Sequence, residues 1–320
     1  MSRLRLHHFE DISSDQPVLV IGAATLDTIG RLKADLQPHT SNPAQISISF
    51  GGVARNVAEN LAHLGWPVTM LSVVGDDPSG EHLLSHLQAS GVDTSYIMRS
   101  PTQPTSAYLS ILNAAGQFDY ALDDMRAMTD LTSAYIRQHA NLIKEAAMVF
   151  FDCNLSKEAI RSLFSIARRA RVPVCADPTS GGLAERLRKY LPDLHLITPN
   201  SVEAGILAEC SVKPSNRKET LFAAKRLVGQ GVQIAIITLA EFGITYATSE
   251  TSGHIPALRT RVVDPTGAGD ALTATMIFAM LNDIPLDDAV RLSVAAASLT
   301  VSQRGAVVQD LTLQKLYDQL

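Results

Sequence analysis

Seven residues near the C-terminus, Asp264-Pro265-Thr266-Gly267-Ala268-Gly269-Asp270, combine what is needed to move an anionic group onto an alcohol. The two glycines form a turn with bare backbone N–H groups, and the apolar run over 271–281 predicts a buried helix directly behind it. Bare amides at the positive end of a helix dipole make a site for a phosphate. Asp270 sits where that helix begins. The same dipole favours its ionised form, so it can accept the proton of a substrate hydroxyl. An anion hole and a base in one short motif suit phosphoryl transfer from a nucleotide to an alcohol. The residues equally describe a glycine-rich turn with an ordinary Asp cap, and the motif alone leaves both readings open. The chain contains no G-x-x-x-x-G-K-S or G-x-x-x-x-G-K-T loop, and these glycines lack the spacing of a dinucleotide fingerprint.

A second glycine-opened helix is written at Gly51-Gly52-Val53-Ala54-Arg55-Asn56. Val53, Val57, Leu61 and Leu64 keep helical spacing, and Gly65 closes the run. The glycine pair lets backbone approach a ligand, and Asn56, one turn in, points a two-way amide at the same end. A glycine hinge with a solvated Asn fits as well. Asp27 follows an apolar strand at 17–24; past the C-terminal end of a strand its two oxygens can hold a vicinal diol, or simply form a turn.

The elements that must position these groups alternate strand and helix, which predicts an α/β fold with a doubly wound, mostly parallel sheet. Strands are expected at 68–74, 147–151, 173–176, 194–198 and 234–238, and the polar residues just past the later ones (Asp152, Asn154, Asp177, Asn200, Glu203, Thr238) should share one sheet edge. Asp76 and Asp77 read as turn and cap residues. Residues 45–50 break the rhythm: Gln-Ile-Ser-Ile-Ser-Phe alternates strictly, as a strand with one wet face does. Such a strand suits a small β-sheet lid, completed by strands at 105–112 and 118–122 around the connection at 113–116. Its apolar face offers a homodimer surface. The expected division is a tail at 1–16, a large domain from 17–27, 51–104 and 126–320, and a lid from 28–50 and 105–125.

The 320 residues are 46% apolar and 18% charged, with net charge −5 and three scattered cysteines. That composition fits a globular protein with a large core, gives no basic footprint for a nucleic-acid polymer, and builds neither a disulfide framework nor a zinc site. No apolar run spans a membrane and no signal peptide is visible, so a cytoplasmic location is expected.

The D-P-T-G-A-G-D and G-G-V-A-R-N-V-A stretches resemble two signatures of the ribokinase-like (PfkB) carbohydrate and nucleoside kinases. The resemblance implies that Asp270 is the base, that the amides of Gly267, Ala268 and Gly269 hold the transferred phosphate, and that Asp27, Gly51, Gly52 and Asn56 bind the substrate sugar. It implies ATP as phosphoryl donor, with Asn200, Thr238, Gly243 and Ala297 at the nucleotide, the last in a small-residue helix over 292–302 beside adenine. Asn200-Ser201-Val202-Glu203 is similar to the family's N-x-x-E motif, which implies Mg²⁺ organised by Glu203 through water. Residues 303–306 with Asp264 imply a monovalent cation such as K⁺. At 238–243 the family's loop carries a glycine where this chain has Ala240, which questions close backbone approach there. Within the family, the lid segments around Asn42, Ser106 and Asp124 are similar to those of pseudouridine kinases. Those three residues become candidates for reading a uracil edge, and the implied reaction is 5′-phosphorylation of pseudouridine. Ribokinase, or a kinase for another nucleoside or sugar, is the alternative.

Overall fold

The structure is a computed structural model that describes residues 13, 15–116 and 118–320; most of the tail expected at 1–16 lies outside the described residues. The strands in chain order are β1 (Val18–Ile21), β2 (Thr25–Leu32), β3 (Ala44–Gly51), β4 (Val68–Gly75), β5 (Asp93–Ser100), β6 (Ala107–Leu112), β7 (Phe118–Asp124), β8 (Met148–Asp152), β9 (Val174–Asp177), β10 (Leu194–Ile197), β11 (Ile234–Thr238), β12 (Ile244–Ala247) and β13 (Ser252–Ile255). Nine of them form one sheet in the order β13-β12-β11-β10-β9-β8-β1-β4-β5. Every neighbouring pair is parallel except β11–β12 and β12–β13 at one edge. The chain runs are apolar because both faces are covered: Val18 and Val20 enter one core layer, Leu19 and Ile21 the other.

The helix Ala268–Leu281 lies inside the first layer, packed against the helices Val53–His63 and Leu286–Val301 and buried from Asp270 to Leu281. That accounts for a sequence apolar all round. Asp152 and Asp177 end β8 and β9, Asn200 and Glu203 follow β10, and Thr238 ends β11, so the polar strand ends do gather at one edge. Asp77 caps the helix Pro78–Ala89 by accepting from the Gly80 N–H at 2.8 Å.

The other four strands make the lid, in the order β3-β2-β6-β7. It begins at Thr25 and runs to Gly51, rather than covering 28–50. Two expectations change with it. The first strand stops at Ile21, so Asp27 lies within a lid strand and not just past a strand of the large sheet. The alternation at 45–50 does not bury one face of β3, because this is an edge strand with Ile46 68% and Ile48 65% exposed. Register sorts the lid residues into two faces. Thr28 pairs with both Ile48 and Leu109, Leu109 with Leu122 and Ile111 with Tyr120, which places these apolar side chains on one face. Asp27 pairs with Tyr108, and Tyr108 with Asp123, on the other.

Candidate active site

Gly267 is the N-cap of the helix Ala268–Leu281, with φ 79°. A Cβ there would lie 2.0 Å from the Ala306 carbonyl oxygen, so the turn needs glycine both for its dihedral and for its packing on the 303–306 loop. The first intrahelical bond runs from Ala271 N–H to Gly267 C=O at 2.9 Å. The N–H groups of Ala268, Gly269 and Asp270 therefore precede the helical ladder and face outward. A Cβ on Gly269 would meet nothing within 4 Å, and Ala268 and Gly269 border an open cleft.

Asp270 is only 9% exposed, and the Asn56 Nδ2 donates to its Oδ2 at 2.6 Å. Burial pushes its carboxyl up to about 7, against the Asn56 hydrogen bond and the Arg55 charge, which lower it; Asp152 and Asp27 add repulsion. Desolvation thus outweighs the helix-dipole stabilisation expected from the motif. A base titrating near neutrality takes a hydroxyl proton more readily than a surface carboxylate does.

Asn56 reaches Asp270 because the glycine turn before it is pinned. Gly52 sits at φ 93°, where a Cβ would lie 2.4 Å from the Ala23 carbonyl oxygen. Asp152, fully buried, accepts from the N–H groups of Ala23 (2.9 Å), Ala54 (3.2 Å) and Asn154 (2.9 Å), tying β1's exit, the Asn56 helix and β8 together. The Asn56 Oδ1 is buried with no partner among the described residues. Asp27 packs over Gly51, whose Cβ would lie 2.0 Å from an Asp27 oxygen, and accepts from Thr25 Oγ1 at 2.6 Å. Burial raises the Asp27 carboxyl, with Thr25 and Arg55 opposing. Arg55 donates to the Gly51 carbonyl at 3.1 Å, to the Phe50 carbonyl, and to the buried Glu59, joining the end of β3 to the helix that carries Asn56.

On the other side of the Gly-Ala-Gly turn lies a cleft of about 470 Å³, lined by Thr238, Gly243, Leu258, Ala268, Ala297 and Val301 among others. Three of the four nucleotide candidates border it. Asn200 stands apart: it is exposed, bridges to Thr238, and its Oδ1 caps the helix Ser201–Ala208 through Val202 N–H (2.9 Å) and Glu203 N–H (3.0 Å). Ala240 keeps a left-handed backbone at φ 51°, so the conformation a glycine would supply is retained with a methyl group at the cleft wall. Gly243, at φ 86°, could not carry a Cβ, which would lie 2.1 Å from the Ile255 carbonyl oxygen.

Glu203 accepts from the Asn200 N–H at 2.8 Å; burial raises its carboxyl, with the Asn200 backbone and side chain opposing. Asp177, beside it at the site floor, is pushed well above the usual range by burial first and then by Glu203 and Asp270. Its Oδ2 accepts from Thr198 Oγ1 at 3.5 Å, and Thr198 accepts from Thr273 of the catalytic helix at 2.9 Å. One or two carboxylates with room for waters and phosphate oxygens is the donor set that Mg²⁺ takes. Asp264 accepts from Thr266 N–H at 2.9 Å and Gly305 N–H at 3.4 Å, so the structure does join it to the 303–306 loop.

The three lid candidates divide. Ser106 is fully buried on the Asp27 side of the lid root, and its hydroxyl has no partner among the described residues. The Asn42 amide is spent inside its own loop, accepting from Gln37 N–H at 2.7 Å and donating to the Gln37 and Thr40 carbonyls. Asp124 falls on the face of Leu122 and Tyr120, opposite Asp27, and is locked to Arg126 by Nη2–Oδ2 at 2.6 Å and Nε–Oδ1 at 2.9 Å. The sequence marks 123–125 as able to face the substrate and places Tyr108 in a lid segment, without choosing between Asp123 and Asp124 or giving Tyr108 a role; Arg55 and the wall at 257–262 carry no sequence signal. For the lid residues the signal is the alternation, carried across strands whose register was unknown.

A buried carboxylate behind a Gly-Ala-Gly turn, a nucleotide-sized cleft on one side and a small β-sheet on the other form the arrangement expected of a small-molecule kinase. The chain belongs to the pfkB family of carbohydrate kinases, whose model matches residues 15–312. It is thus a sugar or nucleoside kinase that phosphorylates a hydroxyl group. The pseudouridine kinase of Escherichia coli K12 is 33% identical over 89% of this chain and 90% of its own. An uncharacterized sugar kinase of the same strain, YeiI, is 32% identical over 90% of this chain and 79% of its own. The ribokinase of Arabidopsis thaliana, solved with ribose and ATP, superposes with a TM-score of 0.85 at 21% identity, covering 95% of this chain and 98% of that one. Among the described residues no helix is long and apolar enough to cross a membrane.

Proposed function

We propose that the protein transfers the γ-phosphoryl group of ATP to the 5′-hydroxyl of pseudouridine, giving pseudouridine 5′-phosphate and ADP. The observation that carries the transfer is the 2.6 Å contact between Asn56 and Asp270, which joins the sugar-facing glycine helix to the base of the anion-hole helix. Asp270 takes the hydroxyl proton. The amides of Ala268 and Gly269 and the Gly267 turn receive the charge of the moving phosphoryl group, so catalysis is mostly positioning and electrostatics. Asp27 and the free Asn56 Oδ1 hold the ribose hydroxyls. The adenine fits the apolar cleft beside Ala297 and Gly243, with Thr238 at its inner end. Mg²⁺, near Glu203 and Asp177, would neutralise phosphate charge; the Asp264–Gly305 corner is the proposed place for a monovalent cation.

The choice of pseudouridine rests on the 33% identity with a pseudouridine kinase and on the lid segments. Asp27 and Asn56 would serve free ribose equally well, which keeps ribokinase as the second reading. We further propose that the protein works in the cytoplasm and pairs through its lids as a homodimer, a contact for which the exposed Ile46 and Ile48 offer an apolar face. Initial rates with ATP on pseudouridine, uridine and ribose separate the readings. Pseudouridine should exceed uridine in kcat/KM by at least about tenfold, because an acceptor that meets its extra ring N–H is left unpaired by uridine. Equal rates on the two nucleosides, or a preference for ribose, would transfer the protein to the second reading and leave Asp270 as base.

A further inference from the structure

The lid carries a row of side chains that crosses three of its strands. Asp27 on β2, Tyr108 on β6 and Asp123 on β7 are register partners across three adjacent strands. Asp27 packs over Gly51 at the turn that opens the Asn56 helix, and Asn56 donates to Asp270, so the face that carries the row is the face turned to the site. Both carboxylates also act on the Tyr108 phenol between them; burial and then their charges keep it protonated. Asp123 is exposed and has no hydrogen-bond partner among the described residues, whereas its neighbour Asp124 is held by Arg126 on the opposite face. At the root of the same face the fully buried Ser106 hydroxyl is also without a partner among the described residues.

We propose that Tyr108 and Asp123 select a nucleoside over a free pentose, Tyr108 as the ring on which a planar base stacks and Asp123 as the acceptor for a base N–H. This rests on the substrate reading given above and adds the residues that would enforce it. The spacing supports it. One interstrand step is about 4.8 Å, so Asp123 stands roughly 10 Å from Asp27 along the row. A pentose whose diol is held at Asp27 ends short of Asp123, while a nucleoside carries its base across Tyr108 to reach it. An aromatic face binds any base, and a carboxylate accepts only from a donor, so the pair favours bases with a ring N–H.

The test compares wild type with Asp123→Ala, Asp123→Asn, Tyr108→Ala and Tyr108→Phe, and with Asp124→Ala from the opposite face as control. Rates are taken on pseudouridine, uridine and ribose, with the KM for ATP as a check on the rest of the site. Asp123→Ala should lower kcat/KM for pseudouridine about tenfold or more, chiefly through KM, with ribose turnover and ATP KM unchanged. Asp123→Asn, which keeps an acceptor, should recover part of the loss. Tyr108→Ala should weaken both nucleosides about tenfold and Tyr108→Phe hardly at all. If wild type prefers nucleosides but Asp123→Ala behaves as Asp124→Ala does, this inference is overturned alone. If wild type phosphorylates ribose and neither nucleoside, the inference falls together with the substrate reading.

Discussion

The two sheets of this protein use similar strands in different surroundings. Every residue of β1, β4 and β8 is buried, and the catalytic helix beside them is closed in by two others. The lid has no second layer: Leu122 is 68% and Tyr120 60% exposed on one face, and the other looks into the site. The base and the anion hole thus stand on packed, rigid elements, where burial can raise a carboxyl to about 7 and a glycine turn is fixed by the backbone behind it. The groups proposed to meet the variable part of a substrate stand on the sheet with least core, where local opening costs least. The proposed chemistry and the proposed selection thus fall on regions of different packing.

The sharpest way to break that division is Asp270→Asn. It keeps the shape of the site and removes the base, so turnover should fall by about 10²–10⁴-fold while nucleotide binding, read by calorimetry, stays as it was. Near-normal turnover would remove Asp270 from the role of base. The same variant tests the cost of the buried carboxylate. Its folded value is raised above the unfolded one, so ionising it opposes folding; the penalty is complete above pH 7 and disappears as the pH falls towards 3.8. Asp270→Asn should therefore melt a few degrees above wild type at pH 8, with the gain shrinking at pH 5. In the wild type, kcat/KM should fall on the acid side of a limb near pH 7, a limb absent from the residual activity of the variant.

On the lid side the outer apolar face supplies the next test. Ile48→Glu puts a charge at the middle of the proposed contact between copies. Light scattering at micromolar concentration should change from dimer to monomer, with catalytic loss of no more than about tenfold because the base is untouched. A wild type already monomeric and fully active would end the dimer proposal. The smallest effect belongs to Ala240→Gly in the nucleotide cleft. It relieves a left-handed alanine at φ 51° but frees the unfolded chain, so Tm should rise by no more than about 2 °C and the KM for ATP should hold. A marked rise in that KM would mean the Ala240 methyl group packs on the nucleotide.

Much of this was legible because local chemistry wrote it. Gly267 and Gly52 occupy positive-φ turns whose Cβ atoms would strike Ala306 and Ala23, and only glycine meets such demands. Apolar runs named the buried strands, and strict alternation named a two-faced one. Local pattern does not carry strand register or desolvation. Which of Asp123 and Asp124 faces the site depends on the pairing of β7 with β6, and a shift of one residue would exchange them. Asp27 joined the lid because the first strand stops at Ile21, a boundary that packing decides. The titration of Asp270 near 7 reflects the burial assembled around it by helices distant in sequence, with Asn56 lying 214 positions away. The sequence by itself determined the kinase motifs and the layered α/β plan, since both follow from residue type and spacing. Which lid face meets the substrate, and how basic Asp270 is, were decided only by the tertiary structure, because register and dielectric belong to the assembled chain.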